Sequence, residues 1–388
     1  MARIALVAGP DPGHLFPIAG LAVALHRRGH QTLVLSGGPW LDDLRACGPH
    51  TAILPDLGPT PEDHDLAHII WERAAQMAPR VRADLDDFAP EMIVTDVLTT
   101  VGHFVGDLMG LPVVSVCPHH LMDPDPDIPP VGLGRRPSRN PVRRFDDASI
   151  RRRQRASMAD ARRVRDQVRG RLALPPGHRP AARLLCTLPS LELRRRTWPE
   201  ATWVVGALEW EPAWPRLAPP QGDAPLVVVT DSTASGVLGS LGEVAVAALS
   251  ALPIRLVVTS SGPGRRDGNV VVGRGSHADL LDQAAVAVGP GGGGFIGKAL
   301  SRGVPLAIVR GLGDQRESAR RVAEAGAGLA VPPGPALGRR LRGAVERLLG
   351  DQSVHAAASR LKAEGQRLGP DHAARIVERH LPVGAGRR

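Results

Sequence analysis

Two near-continuous apolar runs, one opening each half of the chain, constrain its fold more than any other feature. Arg3–Ala8 reads RIALVA, and Leu226–Thr230 reads LVVVT. A strand covered on one face alternates apolar and polar residues, whereas an unbroken apolar run requires cover on both faces, as in a parallel sheet between helices. After the first run, Gly13 precedes an apolar stretch, Leu15–Leu25, that ends at Arg27-Arg28-Gly29. Cations followed by glycine form a helix C-terminal signal. Gln31–Leu35 then reads as a second strand. The unit recurs as a strand at Met92–Thr95, a helix over Val101–Met109 and a strand at Pro112–Cys117, with Leu184–Leu188 a further strand. In the second half Arg255–Thr259, Val270–Val272, Ala284–Val288 and Leu306–Val309 read as strands with helical patterns between them. Helices from about Pro335 to His380 close the chain. Such alternation predicts parallel sheets with right-handed crossovers.

A chain of 388 residues, 43% of them apolar, exceeds one ordinary domain and suits two. The expected fold class is therefore α/β, two Rossmann-like domains facing across a cleft. The clearest linker is the Pro-rich stretch from Pro212 to Pro225. It divides a first domain, 1–211, from a second, 226–368. Residues 369–388 are expected to form a C-terminal helix that packs back toward the first domain. Residues 123–143, rich in Pro, Asp and Arg, read as a loop, and Asp146–Leu172 as a basic helix.

Composition excludes several classes of function. The net charge of +9 invites a nucleic-acid reading, but much of the positive charge sits in one stretch, Arg135 to Arg171, and aromatics make up only 3% of the chain. A solvated helical face, or a rim that attracts an anionic ligand, fits better, and no nucleic acid is expected as a partner. That helix and the loop before it suit either a homodimer interface or a mobile lid. No apolar run is long enough to span a membrane, and the first residues lack signal-peptide architecture, so the expected location is cytoplasmic. Cys47, Cys117 and Cys186 lie far apart and form no metal-ligand pattern. They read as small buried residues.

Candidate chemistry collects at strand ends, because ligands of open parallel sheets bind outside the carboxyl ends of the strands. His14 follows the first strand and Asp96 ends another. A carboxylate beside an imidazole fixes its tautomer and raises its basicity, as a general base requires. Taken singly, His14 also suits a loop or capping role, and Asp96 a helix N-cap. His119 and His120, after the strand Pro112–Cys117, suit either an acceptor pocket or a plain loop. In the second half Gly291, Gly292, Gly293 and Gly294 follow a strand and open a helix, where backbone N–H groups cradle phosphate. Ser232 and Thr233 sit at the equivalent edge, as phosphate contacts or an N-cap. Asp314 and Gln315 suit sugar hydroxyls, or Asp314 caps the helix that follows.

Together these segments resemble the GT-B-fold, family-one glycosyltransferases of bacterial natural-product biosynthesis. GHLFPIAGLAVALHRRGH (Gly13–His30) is similar to the family's N-terminal GHxxP turn and helix, and IVTDV (Ile93–Val97) to the strand with its partner aspartate. GGGGFIGKALSRGVPLAIV (Gly291–Val309) resembles the donor-binding glycine turn, and GDQRESARRVAEAGAGLAV (Gly313–Val331) the DQ-containing segment after it. The resemblance implies an enzyme that transfers a sugar, with inversion, from a UDP- or TDP-sugar to a large apolar acceptor of polyketide, enediyne or macrolide type. No metal or other cofactor is implied. His14 would be the base and Asp96 its partner, with the diphosphate in the Gly291–Gly294 turn and Asp314 and Gln315 on the sugar.

The donor side departs from the family pattern. Pro290 stands where the family has a diphosphate-binding His, and Phe295 and Ile296 where it has a hydroxyl. Gly273–His277 replaces the nucleobase-stacking Trp-x-Pro-Gln segment, and Asp231 brings a negative charge toward the diphosphate position. Each lost charge-assisted contact costs on the order of 1.5–3 kcal/mol; Arg274, Arg310 and His277 are the candidates to compensate. The departures leave three readings open: a glycosyltransferase with an altered phosphate clamp, a repurposed acid–base enzyme acting on or shielding a natural-product intermediate, and a non-catalytic auxiliary partner.

Overall fold

The computed structural model describes residues 1–54, 68–231, 241–311 and 313–382. Among these, two seven-stranded sheets form two α/β domains. The first contains β1 (Arg3–Val7), β2 (Gln31–Ser36), β3 (His50–Ile53), β4 (Met92–Asp96), β5 (Val113–Cys117), β6 (Ala182–Leu185) and β7 (Thr202–Val204). Their order is β3-β2-β1-β4-β5-β6-β7, all parallel. The second contains β8 (Leu226–Thr230), β9 (Arg255–Thr259), β10 (Arg265–Asp267), β11 (Val270–Gly273), β12 (Ala284–Gly289), β13 (Leu306–Val309) and β14 (Gly328–Val331). Here the order is β10-β11-β9-β8-β12-β13-β14, with only β10 antiparallel. The GT-B expectation of two Rossmann-like domains holds.

Both apolar runs are covered on both faces. In β1, Ile4 and Leu6 join one core and Ala5 and Val7 the other, all fully buried. β8 divides in the same way: Leu226 and Val228 face one core, Val227 and Val229 the other. Burying such a side chain contributes about 1.5–3 kcal/mol. The strands missed in the sequence are short edge or near-edge elements: β3, β7, the charged β10 and β14.

Helices α1 (Pro12–Arg27), α2 (Leu41–Ala46), α3 (Ala74–Asp86), α4 (Val101–Leu108) and α5 (Pro141–Arg171) belong to the first domain. α5 starts earlier than its basic pattern suggests. The Asn140 side chain accepts from the Val142 and Arg143 N–H groups, and Pro141 takes the first helical position, where its missing N–H costs nothing. The second domain adds α6 (Leu241–Leu249), α7 (His277–Leu281), α8 (Gly293–Ser301), α9 (Asp314–Glu324), α10 (Leu337–Gly350) and α11 (Gln352–Gly365). Cys47 is exposed, contrary to its expected burial, whereas Cys117 and Cys186 are buried. No helix among the described residues is long and apolar enough to cross a membrane.

The final helix, α12 (Pro370–Arg379), lies on the first domain. Ala373, Ala374, Ile376 and Val377 enter the core beneath α1, and Glu378 binds Arg28 at 2.7 Å and His30 at 3.0 Å. The Pro-rich linker is pinned rather than free. Arg266 donates to the Ala218 carbonyl at 2.7 Å and Arg255 to the Ala224 carbonyl at 2.7 Å. Just before it, the chain crosses α1 so closely that a Cβ on Gly20 would meet the Glu209 carbonyl oxygen at 2.8 Å.

Candidate active site

In each sheet the strand order reverses direction at one point, between β1 and β4 in the first and between β8 and β12 in the second. Crevices form at such switch points because the adjoining connections leave on opposite faces. The two switch points open onto one cavity of about 320 Å³. His14 and His119 line it from the first domain, and Asp231, Pro290, Gly292, Gly293 and Gly294 from the second.

His14 lies in the first turn of α1, not on a turn before it. The Asp11 side chain caps that helix by accepting from the Gly13 N–H at 2.8 Å, which starts it directly after β1. His14 Nδ1 lies 2.7 Å from Asp96 Oδ1. Asp96 is 1% exposed, and its other oxygen accepts from the backbone N–H groups of Leu98 (3.0 Å) and Thr99 (3.1 Å) and from the Thr99 hydroxyl (3.1 Å). Thr99 in turn accepts from the Gly9 N–H at 2.8 Å, stitching the two strand ends together. With Nδ1–H donated to Asp96, the Nε2 lone pair is left for a substrate. Burial by itself lowers the proton affinity of His14, but the hydrogen bond and charge of Asp96, helped by Asp11, override it and leave the pKa raised above 6.5. Thr99 was not singled out from the sequence, although an Asp followed three residues later by Thr is a turn signal.

The glycine turn sits as an anion-binding turn should. Gly291 adopts φ +96°, a left-handed conformation that favours glycine. Gly292 is the N-cap of α8 and offers no side-chain cap, so the first N–H groups of that helix have no side-chain partner there. A Cβ on Gly292 or Gly294 would meet open space, whereas one on Gly293 would lie 2.6 Å from the Pro118 carbonyl oxygen of the first domain. Gly293 is thus one of the points at which the domains touch.

The remaining candidates separate. Asp314 and Gln315 line the cavity, and Asp314 is the first residue of α9 rather than its cap, which is Gly313. Ser232 and Thr233 lie outside the described residues. Asp231 accepts from the Gly242 N–H at 2.7 Å, so its charge is turned to the start of α6. His119 lines the cavity, whereas His120 lines a second cavity of about 180 Å³ that His119 also borders. His120 is 5% exposed and donates to Glu192 at 2.9 Å; Glu192 also binds Arg321 of α9 at 3.0 Å. Burial, with the nearby Arg321 charge, lowers the pKa of His120. Of the three compensating residues, Arg274 and Arg310 are exposed and do not line the cavity. His277 does line it, with Nε2 at 2.8 Å from the Thr259 hydroxyl. Burial and the Lys298 charge hold its pKa down at about 4, so it is neutral near pH 7.

Two further features had no sequence signal. Glu211, from the end of the first domain, pairs with Lys298 of α8 at 2.6 Å and accepts from the Ser276 hydroxyl at 2.8 Å. Pairings this distant in sequence appear only when the chain folds. Phe16 and Trp210 meet edge to face at 5.1 Å and form an apolar wall of the cavity.

Similarity to known proteins agrees with this arrangement. Residues 243–378 match the family described as erythromycin biosynthesis protein CIII-like, C-terminal domain. The chain is 28% identical to 4'-demethylrebeccamycin synthase of Lentzea aerocolonigenes over 94% of its own length and 95% of that protein's. The solved glycosyltransferase of kitacinnamycin superposes with a TM-score of 0.75 at 23% identity, covering 98% of this chain and 99% of that one. The chain is similar to glycosyltransferases of antibiotic biosynthesis. Its fold is the GT-B fold, with the His–Asp pair at the first switch point and the glycine turn at the second. A further solved relative, the Streptomyces sp. SF2575 glycosyltransferase SsfS6 complexed with thymidine diphosphate, has a TM-score of 0.64 at 21% identity and covers 98% and 100% of the two chains.

Proposed function

We propose that this protein transfers a sugar from a nucleoside-diphosphate sugar to a hydroxyl group of a large apolar natural product, inverting the anomeric carbon. The observation that carries the proposal is the 2.7 Å His14–Asp96 pair facing an open glycine turn across one cavity. His14 Nε2 takes the acceptor proton as the acceptor oxygen forms its bond to the anomeric carbon. The bond from that carbon to the diphosphate oxygen breaks on the opposite side, and the nucleoside diphosphate departs with the electron pair. Asp96 stabilises the resulting imidazolium, and the first N–H groups of α8 stabilise the departing charge. Asp314 and Gln315 hold the sugar.

The apolar wall of Phe16 and Trp210 suits a polyketide-, enediyne- or macrolide-type acceptor. A thymidine nucleotide is supported by the relative solved with thymidine diphosphate. No cofactor beyond the donor is called for, and the cytoplasm is the proposed compartment. The relatives are transferases, and no observation favours the repurposed enzyme or the auxiliary partner. The test incubates the protein with TDP- and UDP-sugars and a panel of polyketide aglycones, reading product by mass spectrometry. Glycosylated product that disappears in His14→Ala supports the assignment; no product, together with no binding of either nucleotide, overturns it.

A further inference from the structure

The glycine turn carries no side chain able to neutralise a diphosphate: Pro290, Phe295 and Ile296 offer no polar hydrogen. Any cationic partner must come from elsewhere in the cavity. Among the described residues that line it, four have side chains able to carry positive charge: His14, His119, His277 and Lys298. Three are already engaged. His14 is held by Asp96, Lys298 is 7% exposed and bound to Glu211, and His277 is held neutral against Thr259.

We infer that His119, which reaches the cavity from the opposite domain, donates from Nε2 to the phosphate next to the sugar. This rests on the transferase reading above. Two features of the geometry support it. His119 Nδ1–H donates to the His120 carbonyl oxygen at 2.8 Å, and Nε2 has only a long contact with the Cys117 Sγ at 3.7 Å, which a phosphate oxygen outcompetes. The preceding carbonyl, of Pro118, sits against Gly293, so the His119 backbone is held beside the first turn of α8. The neighbour on its other side is anchored too, because His120 is fixed by Glu192, whose second oxygen binds Arg321 of α9. His119 and His14, the proposed base, line the same cavity. The phosphate it meets is therefore the one attached to the reacting carbon.

The test is calorimetric titration of TDP and of TMP into wild type, His119→Ala and His119→Gln, with thermal melting to confirm that each variant is folded. A lost charge-assisted hydrogen bond weakens TDP binding by about tenfold to a hundredfold in His119→Ala. TMP, which lacks the terminal phosphate, binds both proteins alike. His119→Gln recovers part of the loss, because its amide N–H reaches the position of Nε2. Equal TDP affinity in wild type and His119→Ala overturns the inference and leaves the transferase reading standing. Equal losses for TDP and TMP overturn it as well, since His119 would then shape the cavity only. A wild-type protein that binds neither TDP nor UDP removes both.

Discussion

The two switch points face the same cavity but are equipped in different ways. At the first, side chains hold the chemistry: His14, Asp96 and Thr99 form a chain of hydrogen bonds, and the carboxylate at its centre is almost fully buried. At the second, the backbone provides the site, with glycines that leave room and helix amides that face it. A proton-transfer centre needs atoms placed to within a few tenths of an ångström, which buried and fully hydrogen-bonded groups provide. A diphosphate spreads its charge over several oxygens, so oriented N–H groups and open space are sufficient.

If that division is correct, the two sides fail differently. The largest effect is expected for His14→Ala, which lowers kcat by about 10²–10⁴-fold and changes the KM for donor little. A comparable loss in donor KM would place His14 in binding and break the comparison. Asp96→Asn follows, lowering kcat by about a hundredfold and moving the pH profile. A base must be unprotonated, and the pKa of His14 is raised, so the acidic limb of kcat/KM in the wild type lies above pH 6.5. With the hydrogen bond and charge of Asp96 weakened, burial dominates and the limb moves to lower pH. A limb that stays in place would show that Asp96 does not govern His14.

On the binding side, Gly293→Ala forces a Cβ to within 2.6 Å of the Pro118 carbonyl oxygen. Relieving that overlap costs about 1–3 kcal/mol, so the donor KM rises by about tenfold and Tm falls slightly. Gly294→Ala meets open space and serves as the control; equal effects would show that glycine is needed for a reason other than the domain contact. The smallest effect is expected outside the cavity. Glu378→Gln, which breaks the partly exposed pairing of α12 with Arg28 and His30, changes stability by about 1 kcal/mol or less in urea denaturation.

How much was legible follows the same division. His14, Asp96 and the four glycines stand immediately after apolar runs, and a parallel sheet sends every such residue to one edge. Their convergence therefore required only correct strand assignment. Thr99 carried a turn signal, but its value depends on Gly9 approaching from another strand. The Glu211–Lys298 and Glu192–Arg321 pairs had no local signal, because charged residues far apart in sequence read as surface until folding buries them together. His120 illustrates the converse: beside His119 in sequence, it faces a buried ion pair while its neighbour lines the cavity. The strands overlooked are short and peripheral, where half-exposed residues lose the unbroken apolar pattern that marks β1 and β8.

Apolar patterning and turn residues by themselves determined two parallel α/β domains, the strand ends at which ligands bind, and the imidazole–carboxylate combination that defines the first site. These are consequences of local periodicity and of the rule that strands in such sheets share one direction. Which histidine enters the cavity, where Asp231 turns its charge and which side chains remain available to an anion were decided only by tertiary packing. Those outcomes depend on distances between segments that no local pattern encodes, and on burial, which makes an unpaired charge too costly to keep.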